Sequence, residues 1–169
     1  MWRRTPKARG LGLWDDERIR RGLRRGIITM IIDANNRIIG RIASFAAKKA
    51  LLGEKVDIVN CEKAIISGSR EAVFAKYKHK HDLGGPRKGP FLCRLPDRFV
   101  RRIIRGMLPM ERARGREAYK RVMCYIGMPD EFKGKPCIEI PGTNAEELIT
   151  LKKVSIGQIC RFLGGRWNE

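Results

Sequence analysis

An α/β fold is what this sequence predicts, and three features predict it. Short aliphatic runs, too brief for helices, alternate with segments whose apolar residues recur at helical spacing. The first such segments run strand, helix, strand, the pattern of a parallel crossover. Gly, Pro, Asn and Asp punctuate the junctions between them.

The elements follow in order. Ile27-Ile28-Thr29-Met30-Ile31-Ile32 reads as a buried strand, because the turn residues Asp33-Ala34-Asn35-Asn36 cut it short. Ile38, Ile39, Ile42, Ala43, Ala46, Ala47, Ala50 and Leu51 share one helical face, and Gly53 supplies a left-handed stop. Val56, Ile58 and Val59 make a second strand, and Ala64 to Gly68 a short extended piece. Ser69 is placed to cap a helix to about residue 80, with Val73, Phe74 and Tyr77 on its apolar face.

Three Gly and three Pro in residues 82–97 forbid continuation of that helix and demand a long irregular connection. Pro96 suits the first turn of a helix to about Met107, where Phe99, Val100, Ile103, Ile104 and Met107 form one stripe. A break at 106–109 precedes a second basic helix near 112–121. Val122–Ile126 and Pro136–Ile140 look like further strands and are the antiparallel candidates. Ser155-x-x-Gln158 is a capping box, with Val154 and Ile159 as its hydrophobic staple and Gly164-Gly165 as the stop.

Charge narrows the function. The 169 residues hold 37 Lys plus Arg against 18 Asp plus Glu, a net +19. So basic a chain repels itself unless a polyanion neutralises it, the footprint of nucleic-acid binding. No apolar run approaches the ~18 residues of a membrane span, so no membrane partner is expected. The first 29 residues lack the apolar stretch of a secretory signal. Cys61, Cys93, Cys124, Cys137 and Cys160 contain no Cys-x-x-Cys and read as reduced, cytosolic thiols. With only His79 and His81, both among lysines, neither a metal site nor an acid–base pair is supported. Phosphate-binding glycine loops and Ser-His-Asp sets are likewise missing, so no cofactor, small-molecule substrate or catalytic residue is expected.

The binding chemistry concentrates at residues 94–121, with ten basic and only three acidic residues. Arg94, Arg98, Arg101, Arg102, Arg105, Arg112, Arg114, Arg116 and Arg121, with Lys120, flank the apolar stripe. A guanidinium presents five donors in a planar fork and grips phosphate oxygens bidentately. Asp97, Glu111 and Glu117 are too few to pair this row as an ordinary solvated face. The preceding segment adds Lys76, Lys78, Lys80, Arg87 and Lys88 beside glycines that let backbone approach a ligand. Removing Arg101 and Arg102 together is expected to weaken RNA binding and flatten its salt dependence.

From about Met30 to Gly127 the chain resembles the large-subunit ribosomal protein family L-thirteen, in its archaeal and eukaryotic form. The resemblance centres on Arg105-Gly106-Met107-Leu108-Pro109, then Gly115-Arg116, Val122 and Tyr125-Ile126-Gly127. Asp33, Ile39-Gly40-Arg41-Ile42-Ala43, Asn60-Cys61-Glu62 and Ile66-Ser67-Gly68 carry it in the N-terminal half. Arg87-Lys88-Gly89-Pro90-Phe91 and Arg94-Leu95-Pro96 carry it in the middle. It implies a single three-layer α/β/α domain around a mixed sheet of about four strands. It implies a structural, non-enzymatic constituent of the cytoplasmic large ribosomal subunit, bound to large-subunit ribosomal RNA during early assembly and flanked by other large-subunit proteins. Residues 1–29 precede the resemblance and are expected as a basic extension, extended or disordered, with 30–169 as the domain and its C-terminal helical tail.

Two other readings compete. A regulator acting off the ribosome would leave the ribosomal fraction in moderate salt. A nucleic-acid-processing enzyme would need clustered acids beside the basic face, where the sequence offers isolated ones.

Overall fold

A computed structural model describes residues 29–85, 87–148, 150 and 152–167. The expected extension at 1–29 therefore lies outside the described residues, apart from Thr29. The first strand, β1 (Thr29–Asp33), leads through a turn to helix α1 (Ile39–Leu51) and back to β2 (Lys55–Val59), parallel to β1 in the register Met30 to Val56 and Ile32 to Ile58. The strand–helix–strand unit is thus present. Gly53 closes α1 at φ +103°, its N–H donating to the Ala50 carbonyl.

After β2 come β3 (Ile65–Ser67), α2 (Arg70–Asp82), α3 (Pro96–Arg105), α4 (Ala113–Lys120), β4 (Val122–Cys124), β5 (Lys153–Ser155) and α5 (Ile156–Phe162). Ser69 Oγ accepts from the Ala72 N–H at the start of α2, and Ser155 Oγ from the Gln158 N–H at the start of α5. Pro96 opens α3. These three helix starts fall where capping chemistry places them.

Parallel and antiparallel pairing both occur, but in separate sheets: β1-β2-β4 is parallel and β3-β5 is an antiparallel pair. The two antiparallel candidates are corrected. Val122–Cys124 joins β2 in parallel, because the chain between them crosses over through three helices before returning. Of Pro136–Ile140 only Ile138 pairs, as a parallel bridge to Ile32, with its N–H on the Ile31 carbonyl.

Strand alternation then assigns two faces. Met30, Ile32, Val56, Ile58, Val122 and Cys124 point into the main core, to which all five described helices contribute, including Ile42 and Ala46 of α1 and Val100 and Ile104 of α3. Burial of each such aliphatic side chain stabilises the fold by about 1.5–3 kcal/mol. Ile31 and Val59 face the other way, onto Phe132, Tyr125 and Cys137. That second face is covered by an irregular segment with one 3-10 turn at Asp130–Phe132, not by an α-helix. Met107, expected in the core stripe, is exposed, because the helix ends at Arg105 before its turn comes round.

Asp57 also points to the second face. It is fully buried, and neither carboxylate oxygen has a hydrogen-bond partner among the described residues. Burial pushes its carboxyl above the ordinary 3.8, opposed in part by Lys55, whose ammonium lies 3.9 Å away. A raised carboxyl favours the folded state below the unfolded value and disfavours it once pH passes the folded value. Asp57→Asn should therefore raise the melting temperature at pH 7, by an amount corresponding to about 1–3 kcal/mol. The gain should vanish in melting curves recorded below about pH 3.8. A gain that stays constant down to acid pH would show that the charge is not its source.

Of the five thiols, Cys61, Cys124 and Cys160 are buried and Cys93 and Cys137 half-buried; all are free. Burial pushes Cys160 up to about 12, far from reactive thiolate chemistry.

Candidate nucleic-acid interface

Helix α3 divides its residues by face. Phe99, Val100 and Ile104 are buried against the sheet and α1, while Arg98, Arg102 and Arg105 stand exposed. The rigid core thus holds the cations at helical spacing, three and four residues apart. Arg98, Arg105, Arg112, Arg116 and Lys120 have no side-chain hydrogen bond or ion pair among the described residues. Of the fifteen cations singled out from the sequence, only Arg121 has a carboxylate within 4.0 Å among the described residues, Glu117 at 3.7 Å. Such pairing is weak on an exposed helix.

Arg101, Arg114 and Arg121 are turned to intramolecular work against α4 and α1. Arg101 is half-buried, its guanidinium 4.6 Å from the Tyr119 ring centre and its Nε enclosed without a hydrogen-bond partner. Arg114 and Arg121 donate to the Leu51 and Ala50 carbonyls at 3.3 and 3.4 Å, sealing the C-terminal end of α1. Arg101 is therefore a packing residue as well as a cation, and a variant that removes it tests two things at once.

Between α3 and α4 the chain turns at Gly106–Pro109 around an open cleft of about 610 Å³ lined by Arg102, Arg105 and Arg112. Gly115 makes the turn possible. A methyl group there would stand 2.0 Å from the Pro109 carbonyl oxygen, so α4 approaches the turn more closely than any larger residue allows. The segment Arg105 to Pro109 is thus held by backbone contact, with Arg105 exposed.

The connection before α3 is more ordered than its composition suggests. Residues 85–89 close a tight turn, the N–H groups of Lys88 and Gly89 both donating to the Gly85 carbonyl at 3.1 and 3.0 Å. Gly84, at φ +83°, lets the two limbs touch, since a Cβ there would meet the Gly89 oxygen at 1.8 Å. Lys76, Lys78, Lys80, Arg87 and Lys88 are all exposed along α2 and this turn, and Lys80 lies 5.8 Å over the Tyr77 ring. Arg102 donates to the Phe91 carbonyl, tying the turn's exit to α3. His81 bridges Asp82 and Arg94 at 3.0 and 3.3 Å, a surface link between α2 and the start of α3.

Sequence reasoning passed over Arg161 and Arg166, because 122–169 is neutral as a whole, with six basic and six acidic residues. The fold sets the Gly164–Gly165 turn between them against Arg94. The backbone of Arg94 packs on Gly165, where a Cβ would meet its oxygen at 2.2 Å, and Arg161 and Arg166 line a shallow cavity of about 460 Å³ with Trp167. Arg161 lies 5.4 Å over that tryptophan ring. Nothing local announces this clustering; it depends on how α5 docks. Arg37 was also missed. It is buried, reaching Glu139 at 3.0 Å and Thr143 at 3.4 Å, and latches residues 139–143 across the end of β1.

Comparison with known proteins bears on this surface. The family model described as "Ribosomal protein L13" matches residues 28–131, which include β1 to β4, α3, α4 and the Gly106–Pro109 turn. The large ribosomal subunit protein uL13 of Methanopyrus kandleri is 48% identical over 137 residues, covering 79% of this chain and 86% of that protein. The uL13 of Archaeoglobus fulgidus is 42% identical over 137 residues, 80% of this chain and 88% of its own. That of Methanococcoides burtonii is 42% identical over 137 residues, 81% of this chain and 99% of its own. With a matched family model spanning most of the chain and relatives this similar along nearly their whole length, the chain belongs to the ribosomal protein L13 family.

Proposed function

We propose that this chain is a structural constituent of the cytoplasmic large ribosomal subunit that binds large-subunit ribosomal RNA and supports early subunit assembly, without catalysis. The observation that carries the reading is the row on α3 and α4: guanidinium groups backed by the core, exposed, and almost free of carboxylates. Phosphate oxygens complement such a row, and cations of this kind supply the sequence-independent share of affinity through counterion release. The contact surface comprises Lys76, Lys78, Lys80, Arg87 and Lys88 on α2 and its turn, and Arg94, Arg98, Arg102, Arg105, Arg112, Arg114, Arg116, Lys120 and Arg121 beyond it. Arg101 contributes by bracing Tyr119. The basic extension at 1–29 adds charge to the domain at 30–169, and neighbouring large-subunit proteins complete the surroundings.

Arg98 and Arg105 test this most cleanly, because both are exposed and without a partner among the described residues. The double change to alanine should lower the slope of log affinity for large-subunit rRNA against log salt by about 1.4–1.8. The melting temperature should stay within about 2 °C of the parent, as for surface substitutions generally. Filter binding between 50 and 300 mM salt, roughly the range over which counterion release is measurable, reads the slope. An unchanged slope and affinity would sink the reading.

A further inference from the structure

Beside the basic row lies a pocket the phosphate-binding argument does not use. It occupies about 430 Å³ between the end of α2, the strand of chain leaving the 85–89 turn, and the outer side of α3. Its floor and walls are apolar: Tyr77, Leu83, Pro90, Leu92, Phe99 and Ile103. Tyr77 and Phe99 meet there with ring centres 5.1 Å apart and planes tilted by 55°. Among the described residues its remaining side chains are two cations, Lys80 and Arg102, and none that lines it is a carboxylate.

We propose that this pocket takes a single unstacked nucleotide of large-subunit rRNA, its base against the aromatic floor and its phosphates between Lys80 and Arg102. The inference rests on the rRNA-binding reading above and names a subsite within it. An apolar recess this size fits the range of small-ligand sites, about 300–1,000 Å³. What selects a nucleotide over an apolar side chain of a partner protein is the charge of the mouth. Arg102 is held in place by the Phe91 carbonyl with further N–H donors to spare, and Lys80 is anchored over Tyr77. Arg98 and Arg105 continue the same cationic line along α3, so a phosphate backbone lying on that row passes the opening. Proteins recognise RNA chiefly where bases are splayed out of the helix and stacked on aromatic rings. Leu83 is 46% exposed in the free chain, and Phe91, which leads into the pocket wall, is 69% exposed. Apolar surface left so open at a charged mouth is surface that a base would cover.

The test uses the full chain and a transcript of large-subunit rRNA. Ile103→Trp fills the recess from its half-buried side, and Leu83→Glu sets a carboxylate at its mouth from an exposed position that leaves the core untouched. Each should lower affinity at least about tenfold, the scale of one base–aromatic stack, and lower the salt slope by no more than about 1.4–1.8, the share of the two phosphate contacts at Lys80 and Arg102. Ultraviolet crosslinking of the parental complex should join a single nucleotide to the peptide bearing Tyr77, and acylation of ribose 2′-hydroxyls should report that nucleotide as unstacked. Parental affinity in Leu83→Glu, or crosslinks that map only to other peptides, overturns the proposal while leaving phosphate binding intact. Parental rRNA affinity combined with poor incorporation of both variants into subunits also overturns it, pointing to a protein in the pocket. A parental chain that fails to bind the transcript overturns this inference and the broader reading together.

Discussion

Gly115→Ala is expected to destabilise the protein by about 3 kcal/mol, lowering the melting temperature by roughly 6–12 °C, although alanine is the better helix former. The intrinsic gain of replacing glycine inside a helix is about 0.5–1 kcal/mol. Against it stands a new Cβ placed 2.0 Å from the Pro109 oxygen and 2.5 Å from its carbonyl carbon. Both atoms belong to the backbone, so neither a rotamer change nor a flexible tip can relieve the clash, and α4 must move off the turn. The displacement separates Arg105 from Arg112 across the cleft they line, so rRNA affinity should fall with stability. Chemical denaturation and filter binding on the same preparation read both effects. A Gly115→Ala protein as stable as its parent would mean that the approach of α4 to Pro109 is not a constraint.

Neighbouring residues on α3 should separate folding from binding. Ile104→Ala removes a fully buried side chain from the main core and should cost about 2–5 kcal/mol. Arg105→Ala, one residue on, changes an exposed side chain without a partner among the described residues and should alter stability by no more than about 0.5 kcal/mol. The effects on RNA run the other way. Arg105→Ala should lower the salt slope by about 0.7–0.9, whereas Ile104→Ala, assayed at a temperature where it is still folded, should keep the parental slope. Slopes lowered equally by both changes would mean that the row is not an independent phosphate contact.

Much of this was legible in the residues themselves. Ser69, Ser155, Pro96 and Gly53 mark helix ends through local hydrogen bonds and backbone geometry, and the structure uses all four as read. The apolar stripe Phe99, Val100, Ile104 needs only the helical period to find its face. By contrast, β5 went unread because it is three residues long and becomes a strand only through its pairing with β3, some ninety positions earlier in the chain. The direction of β4 depends on a crossover through α2, α3 and α4, which no window around Val122 contains.

The candidate surface divides in the same way. Composition and spacing alone determined that the chain is strongly basic, that its arginines outnumber their local acids and that they ride on an apolar-backed helix, while the motifs between Met30 and Gly127 carried the family resemblance. Only the tertiary structure decided that Arg101 turns onto Tyr119 while Arg98 and Arg105 stay open, and that the turn between Arg161 and Arg166 packs on Arg94 from the far end of the chain. The tertiary structure alone also set a lined pocket beside Lys80 and Arg102. The physical reason is range. Helical period and capping act over a few residues and are written in the local sequence, whereas the availability of a charge is set by which distant groups the packed core brings against it.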